Sequence, residues 1–142
     1  HHRLDAGRSQ YRTATREVLE LGQRTAVRAA DSLRLQQLRR NTIQRWWQWF
    51  RTEQIDALLE PTVPVVAPLR GDGYAHAGAD SILLSLAYFW SWTGFPVVSL
   101  PAGVGQRSGL PVGVSLVGTP GDDANLLRIG GNVQEAVGLP TA

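Results

Sequence analysis

The 142-residue chain contains no cysteine, no methionine and no lysine. Absence of cysteine excludes disulfides, thiolate nucleophiles and Cys-based metal sites together, and leaves the redox compartment open. Absence of methionine reads as a processed chain, a fragment or the ordered remainder of something longer, with His1-His2 either the end of a purification tag or native sequence. Absence of lysine leaves all 14 basic positions to arginine. Charged residues are few, at 18% against 43% hydrophobic, an ordinary globular balance that argues against wholesale disorder. Long apolar runs are missing too. The stretch from Ile82 to Leu100 is interrupted by Ser85, Ser91, Thr93, Gly94 and Pro96, and a bilayer span needs about eighteen uninterrupted apolar residues. No membrane span is expected. With no secretory signal at either end, the location to expect is cytoplasmic.

The charge that is present is unevenly placed. Residues 1–51 hold eleven arginines against four acids, a net +7, and residues 52–142 hold three arginines against eight acids, a net −5. A basic arm of this kind can track nucleic-acid phosphates. With no aromatic or Gly-rich RNA motif beside it, a solvated face or an intramolecular complement is the expected use, and nucleic acid is not an expected partner.

Two segments carry helical spacing. From Gln10 to about Ala30, Val18, Leu19, Leu21, Val27 and Ala30 form a patchy stripe, with Ser9 as N-cap and Gly22 able to split the helix. From residue 33 to 53, Leu35, Leu38, Ile43, Trp46, Trp49 and Phe50 fall on one broad face at about 100° per residue. Asp31 or Ser32 is the expected cap. The Trp-rich stripe reads as core packed on a sheet, or as a partner surface, since Trp is enriched at interface hot spots. Arg39 lies within the apolar arc and needs a partner there. Asp56 and Glu60 are the nearest acids downstream, so a structural ion pair is expected.

Beyond Ile55 the pattern changes. A short strand at 57–59 leads into Pro61 to Pro68, a proline-stiffened extended segment. A glycine-rich loop over 70–79 and a helix from Ser81 to about Trp92 follow, capped by Asp80 or Ser81 and stopped by Gly94 before Pro96. Val97–Leu100 and Val112–Val117 are apolar runs too close in sequence for a crossover helix, so they are expected as antiparallel neighbours. Asp122 or Asp123 begins a last helix to about Val137, softened by Gly130-Gly131. The organisation expected is one partial domain, with a helical arm at 10–53 and a strand and helix body at 54–142. Continuously apolar strands belong in a sheet covered on both faces, and three or four strands leave edges exposed. The native sheet is therefore expected to be larger than this chain supplies.

Two patterns invite cofactor or catalytic readings. Gly103-Val-Gly105-Gln-Arg-Ser-Gly109 follows a strand, but its third glycine comes one residue late for a dinucleotide fingerprint and a strand follows it. A glycine-rich hairpin is the better reading. Ser81, Ser85, His76 and Asp72 or Asp80 are near one another in sequence, yet a triad is defined by geometry rather than proximity. His76 has no second His or Cys close by to form a metal site. No cofactor and no metal are expected.

Several pieces, Asp56-Ala-Leu-Leu-Glu-Pro-Thr62, Thr93-Gly-Phe-Pro-Val-Val-Ser-Leu-Pro-Ala-Gly103 and Gly109-Leu-Pro-Val-Gly-Val-Ser-Leu-Val-Gly118, together resemble the closing third of the amidase signature family. The likeness extends back through Arg39-Arg40 to Leu19-Glu-Leu-Gly22, and takes in more than four fifths of the chain. It implies an α/β fold, the C-terminal part of the amidase-signature fold, with a mixed β-sheet flanked by helices and incomplete in this chain. It also implies hydrolysis of carboxamide C–N bonds by a serine nucleophile, a bridging serine in a cis peptide and a lysine base. None of those groups maps onto this sequence, which has no lysine and no Gly-Gly-Ser-Ser-like segment. Catalytic residues are therefore expected elsewhere, and the chain alone should be inactive.

The motif positions that do map, Pro61, Thr62, Gly94, Pro96, Pro101, Gly103, Gly109, Pro111 and Gly113, shape strand ends and turns. The resemblance implies a substrate channel near Tyr88, Ser91 and Trp92, which become the pocket candidates. Family members commonly carry Asn where this chain has Ser91, and Gln where it has Ser115. Expected partners are the catalytic portion of the same enzyme, a small amide substrate and further copies of the chain. Two rivals stand beside this reading: part of the amidase subunit of a tRNA-dependent amidotransferase, and a non-enzymatic module that oligomerises through the Trp-rich helix and strand edges.

Overall fold

The computed structural model describes residues 11–25, 27–68 and 79–138. It divides into two compact units, His1–Leu38 and Arg39–Ala142. Seven elements follow in chain order: helices α1 (Thr13–Arg24) and α2 (Ala29–Thr52), strand β1 (Leu58–Pro61), helix α3 (Ala79–Thr93), strands β2 (Val97–Val104) and β3 (Pro111–Val117), and helix α4 (Asp123–Val137).

Helix α1 runs through Gly22 without a break and ends at Arg24, where the Thr25 amide and hydroxyl both donate to the Leu21 carbonyl, at 2.9 and 2.8 Å. One glycine costs a helix only about 1 kcal/mol, so Gly22 weakens this one without dividing it. The Ser9 cap lies outside the described residues. Helix α2 begins at Ala29, ahead of the expected cap, which leaves Asp31 in its first turn near the positive end of the helix dipole. Only the C-terminal part of the α2 stripe is well covered. Phe50 is 1% exposed, whereas Leu35 and Leu38 keep about half of their surface, 49% and 54%.

The strands form one antiparallel sheet of order β1-β3-β2. The α/β class follows the expectation, and among the described residues every strand pairing is antiparallel. The pairing of β2 with β3 is the hairpin that the short connection required. Its turn is closed by Gly105 N–H to Leu110 O and Gly109 N–H to Gly105 O, both 2.9 Å, with Gly109 at φ +67°. The glycine-rich stretch is thus a turn between two strands. Strand β2 is longer than expected because it continues through Pro101 to Val104, with a register shift between Pro101 and Gly103. An edge strand tolerates that proline because the missing N–H faces no partner.

Alternation separates the two faces of the sheet. Val98, Leu100, Val114 and Leu116 meet α4 through Leu126, Ile129 and Val133. Gly130 does not soften α4, which is continuous. A Cβ at Gly130 would stand 3.4 Å from Val98 Cγ1, so this glycine lets the helix lie close on the sheet. On the opposite face Val117 joins Phe50, Trp90 and Phe95 in a second cluster, flanked by Trp46, Phe89 and Leu58. Trp46 meets the Phe89 and Trp90 rings edge-on at 5.5 and 5.1 Å, a favoured aromatic geometry. The core reading therefore holds for Trp46. Trp47 and Trp49 are each 40% exposed.

Helix α3 starts at Ala79, so Asp80 and Ser81 fall within its first turn rather than before it. It stops where expected: Gly94 adopts φ +80° and its amide donates to Trp90 O at 2.7 Å. A side chain in that left-handed region costs about 1–2 kcal/mol. Gly94→Ala should therefore lower the stability to urea by about that amount, while its new methyl meets only the flexible Arg39 side chain 3.5 Å away. An unchanged unfolding midpoint would refute the turn assignment.

Candidate functional site

The last turn of α3 is fixed from two sides. Trp90, 5% exposed, donates its indole N–H to Glu60 Oε1 at 2.6 Å, a short charge-assisted bond. Arg39 donates its Nε–H to the Trp92 carbonyl. This corrects the expected ion pair, since Arg39 neither meets Asp56 nor claims Glu60. A helix C-terminus leaves its last carbonyls without helical partners and bears partial negative charge, so it receives a guanidinium well. Thr93 completes the turn by donating its hydroxyl to Phe89 O at 2.9 Å.

Beneath this turn the sheet presents polar groups. Register sets Glu60 of β1, Ser115 of β3 and Ser99 of β2 side by side in one row. Ser115 Oγ donates to Thr62 Oγ1 at 3.0 Å and lies 3.3 Å from Ser99 Oγ. Gly113 allows Thr62 to sit there, because a Cβ on it would be 3.2 Å from Thr62 Oγ1. The result is a cavity of about 230 Å³ between α3 and the sheet, with Trp90, Phe95 and Ser115 as floor, Glu60 and Thr62 as wall, and Ser91 and Ser99 at the mouth.

Of the three pocket candidates, Ser91 lines this cavity. Tyr88, 57% exposed, and Trp92, 38% exposed, do not. They lie four residues apart and so share another side of the helix. Among the motif residues, Thr62 is the one that contributes to the cavity wall. Pro61 pairs in register with Val114, Pro96 accepts the Gly118 amide at 3.0 Å, and Pro101, Gly103 and Pro111 hold places in the β2–β3 ladder. Sequence reasoning missed Glu60, Ser99 and Trp90 as cavity residues. Two signals were present: Glu60 and Thr62 stand two apart in an extended segment, Thr62 just past the end of β1, and so share a face, and Ser99 and Ser115 interrupt otherwise apolar runs. The Asp72 and His76 grouping lies outside the described residues, and Ser85 turns its hydroxyl back onto Ile82 O at 2.8 Å.

Residues 6–127 match the sequence profile of the family described as Amidase. The chain belongs to the amidase family. It is 33% identical over 117 residues to mandelamide hydrolase of Pseudomonas putida, which covers 82% of this chain and 23% of that enzyme. To the glutamyl-tRNA(Gln) amidotransferase A-subunit of Oleidesulfovibrio alaskensis it is 33% identical over 106 residues, 72% of this chain and 20% of that protein. A solved amidase structure superposes with a TM-score of 0.73 at 26% identity, covering 94% of this chain and 30% of that one. The amidase chain thus spans between a fifth and a quarter of the length of these curated relatives. No described helix is long and apolar enough to cross a membrane.

Proposed function

We propose that this chain is the C-terminal structural and substrate-pocket portion of an amidase-type hydrolase that cleaves carboxamide C–N bonds, and that the serine pair and lysine act from a companion section of the same enzyme. The observation that supports this reading is a sheet of only three strands among the described residues, with apolar residues exposed on its outer strands. Strands β1 and β2 are outer strands, and Leu59, Val97 and Val104 on them are 57%, 42% and 64% exposed. Unpaired edges and apolar strand faces are normally covered in a native fold. A groove of about 620 Å³ along Pro61–Pro68, floored by Val112 and Val114, adds apolar surface of the same kind. The companion section is its natural cover, since it must dock close to Ser91 to present a nucleophile there.

In such an enzyme the serine attacks the carboxamide carbon, the amine leaves with a proton delivered by the base, and water releases the acyl group. This chain's share is to bind and orient the substrate, with Ser91 facing it and Tyr88 and Trp92 available to a cleft wall formed with the companion. Incubation with a simple primary carboxamide should release no ammonia above the uncatalysed rate. The full reading frame should encode a lysine and a Gly/Ser-rich section ahead of His1. Turnover by the chain alone, or a frame lacking that section, would overturn the proposal.

The arginine-rich residues 1–51 and the likeness to an amidotransferase A-subunit favour a second reading, as part of a tRNA-dependent amidotransferase. Steeply salt-dependent tRNA binding by the intact protein would select it.

A further inference from the structure

We infer that the cavity under the last turn of α3 binds a protonated amine, with Glu60 as its counter-charge and specificity-determining residue. Among the described residues Glu60 is the one charged side chain lining this cavity, and no described arginine lines it. Among the described residues its carboxylate forms no ion pair. One oxygen accepts the Trp90 indole N–H, and a carboxylate has about four acceptor sites, so most of its capacity stays open toward the cavity.

The other polar groups point the same way. The Trp90 donor is engaged by Glu60, and the Ser115 hydroxyl directs its proton to Thr62. What remains is chiefly acceptor capacity on Glu60, Thr62 and Ser99, against the hydroxyl protons of Thr62 and Ser91 as donors, a balance that suits a guest bringing several N–H donors and a positive charge. An ammonium supplies three donors and no acceptor. The volume, about 230 Å³, lies below the range of about 300–1,000 Å³ usual for drug-sized ligands, so the guest is a small head group with a short apolar stem. Phe95 and Trp90 offer that stem an apolar floor. The role in catalysis rests on the amidase reading: the site would hold the amine-bearing end of an amino-amide substrate, and so bias the enzyme toward such amides over neutral ones. The binding itself does not depend on that reading.

The test uses the chain as it stands, labelled with ¹⁵N, and follows the Trp90 indole N–H resonance during titration with benzylammonium chloride. The resonance should move saturably, and benzyl alcohol, of the same shape without the charge, should bind at least about tenfold more weakly. Glu60→Gln retains an oxygen for the Trp90 donor and should keep the dispersed spectrum while weakening benzylammonium binding at least about tenfold. Ser91→Arg, at an exposed position on the cavity mouth, should weaken it as well by placing a like charge at the entrance. Equal binding of the alcohol, undiminished binding by either variant, or no saturable shift by about 20 mM benzylammonium, a range that covers millimolar affinity, would each overturn the inference. Failure of the companion-section reading would show separately, as carboxamide turnover by the chain alone, and would leave the titration unaffected.

Discussion

Phe50→Ala should lower the unfolding free energy by about 3–5 kcal/mol, the range for deleting a buried aromatic ring. Phe50 is 1% exposed and packs with Trp90, Phe95 and Val117, its ring centroid 6.0 Å from that of Phe95. It is the most deeply buried side chain that α2 brings to the core, so its loss removes one of the contacts, beside those of Trp46 and Arg39, that join the helix to α3 and the sheet. Native domains hold only about 5–15 kcal/mol in total, and the variant should be largely unfolded at urea concentrations that leave the parent folded. Tryptophan fluorescence during urea titration reads the effect. Trp47→Ala supplies the contrast on the same helix: Trp47 is 40% exposed and lies under the Arg51 guanidinium at 4.6 Å, a contact worth about 0.5–1 kcal/mol at an exposed site. Equal losses in the two variants would show that the aromatic cluster is not the core.

Trp90 should show two separable contributions. Trp90→Ala removes ring contacts with Trp46, Phe89 and Phe95, at centroid distances of 5.1, 4.8 and 5.6 Å, and strips Glu60 of its donor. A loss of about 3–5 kcal/mol follows from the ring alone. Trp90→Phe keeps an aromatic ring in the cluster but deletes the indole N–H, and should cost about 1.5–3 kcal/mol, the range for a hydrogen bond to a charged group. Glu60→Gln, which preserves an acceptor, should cost clearly less than Trp90→Phe. If Trp90→Phe is neutral while Trp90→Ala is severe, the Trp90–Glu60 bond contributes nothing to holding α3, and the cavity owes its shape to packing alone.

Much of the architecture was legible in the chain itself. Gly94 before Phe95-Pro96 forecast the end of α3 because glycine alone enters the left-handed region without penalty. The glycine-rich stretch between two apolar runs forecast a hairpin, because no crossover helix fits there. The proline and glycine punctuation and the amidase resemblance agree with the family and fold. These are local signals, fixed by backbone sterics within a few residues. The reading of α2 was less complete: a helical wheel gives the direction of an apolar stripe but not how far along the helix a partner reaches.

What the sequence determined, then, is the type of each main element, where its turns fall, and the absence of lysine and cysteine chemistry. Only the tertiary structure decided that Arg39 answers the carbonyl of Trp92, that Gly130 serves a close helix approach, and that Glu60, Ser115 and Ser99 form one row. Those outcomes depend on strand register and on how a helix is rotated over a sheet. Both are set by packing between residues far apart in the chain, about which the local pattern carries no information.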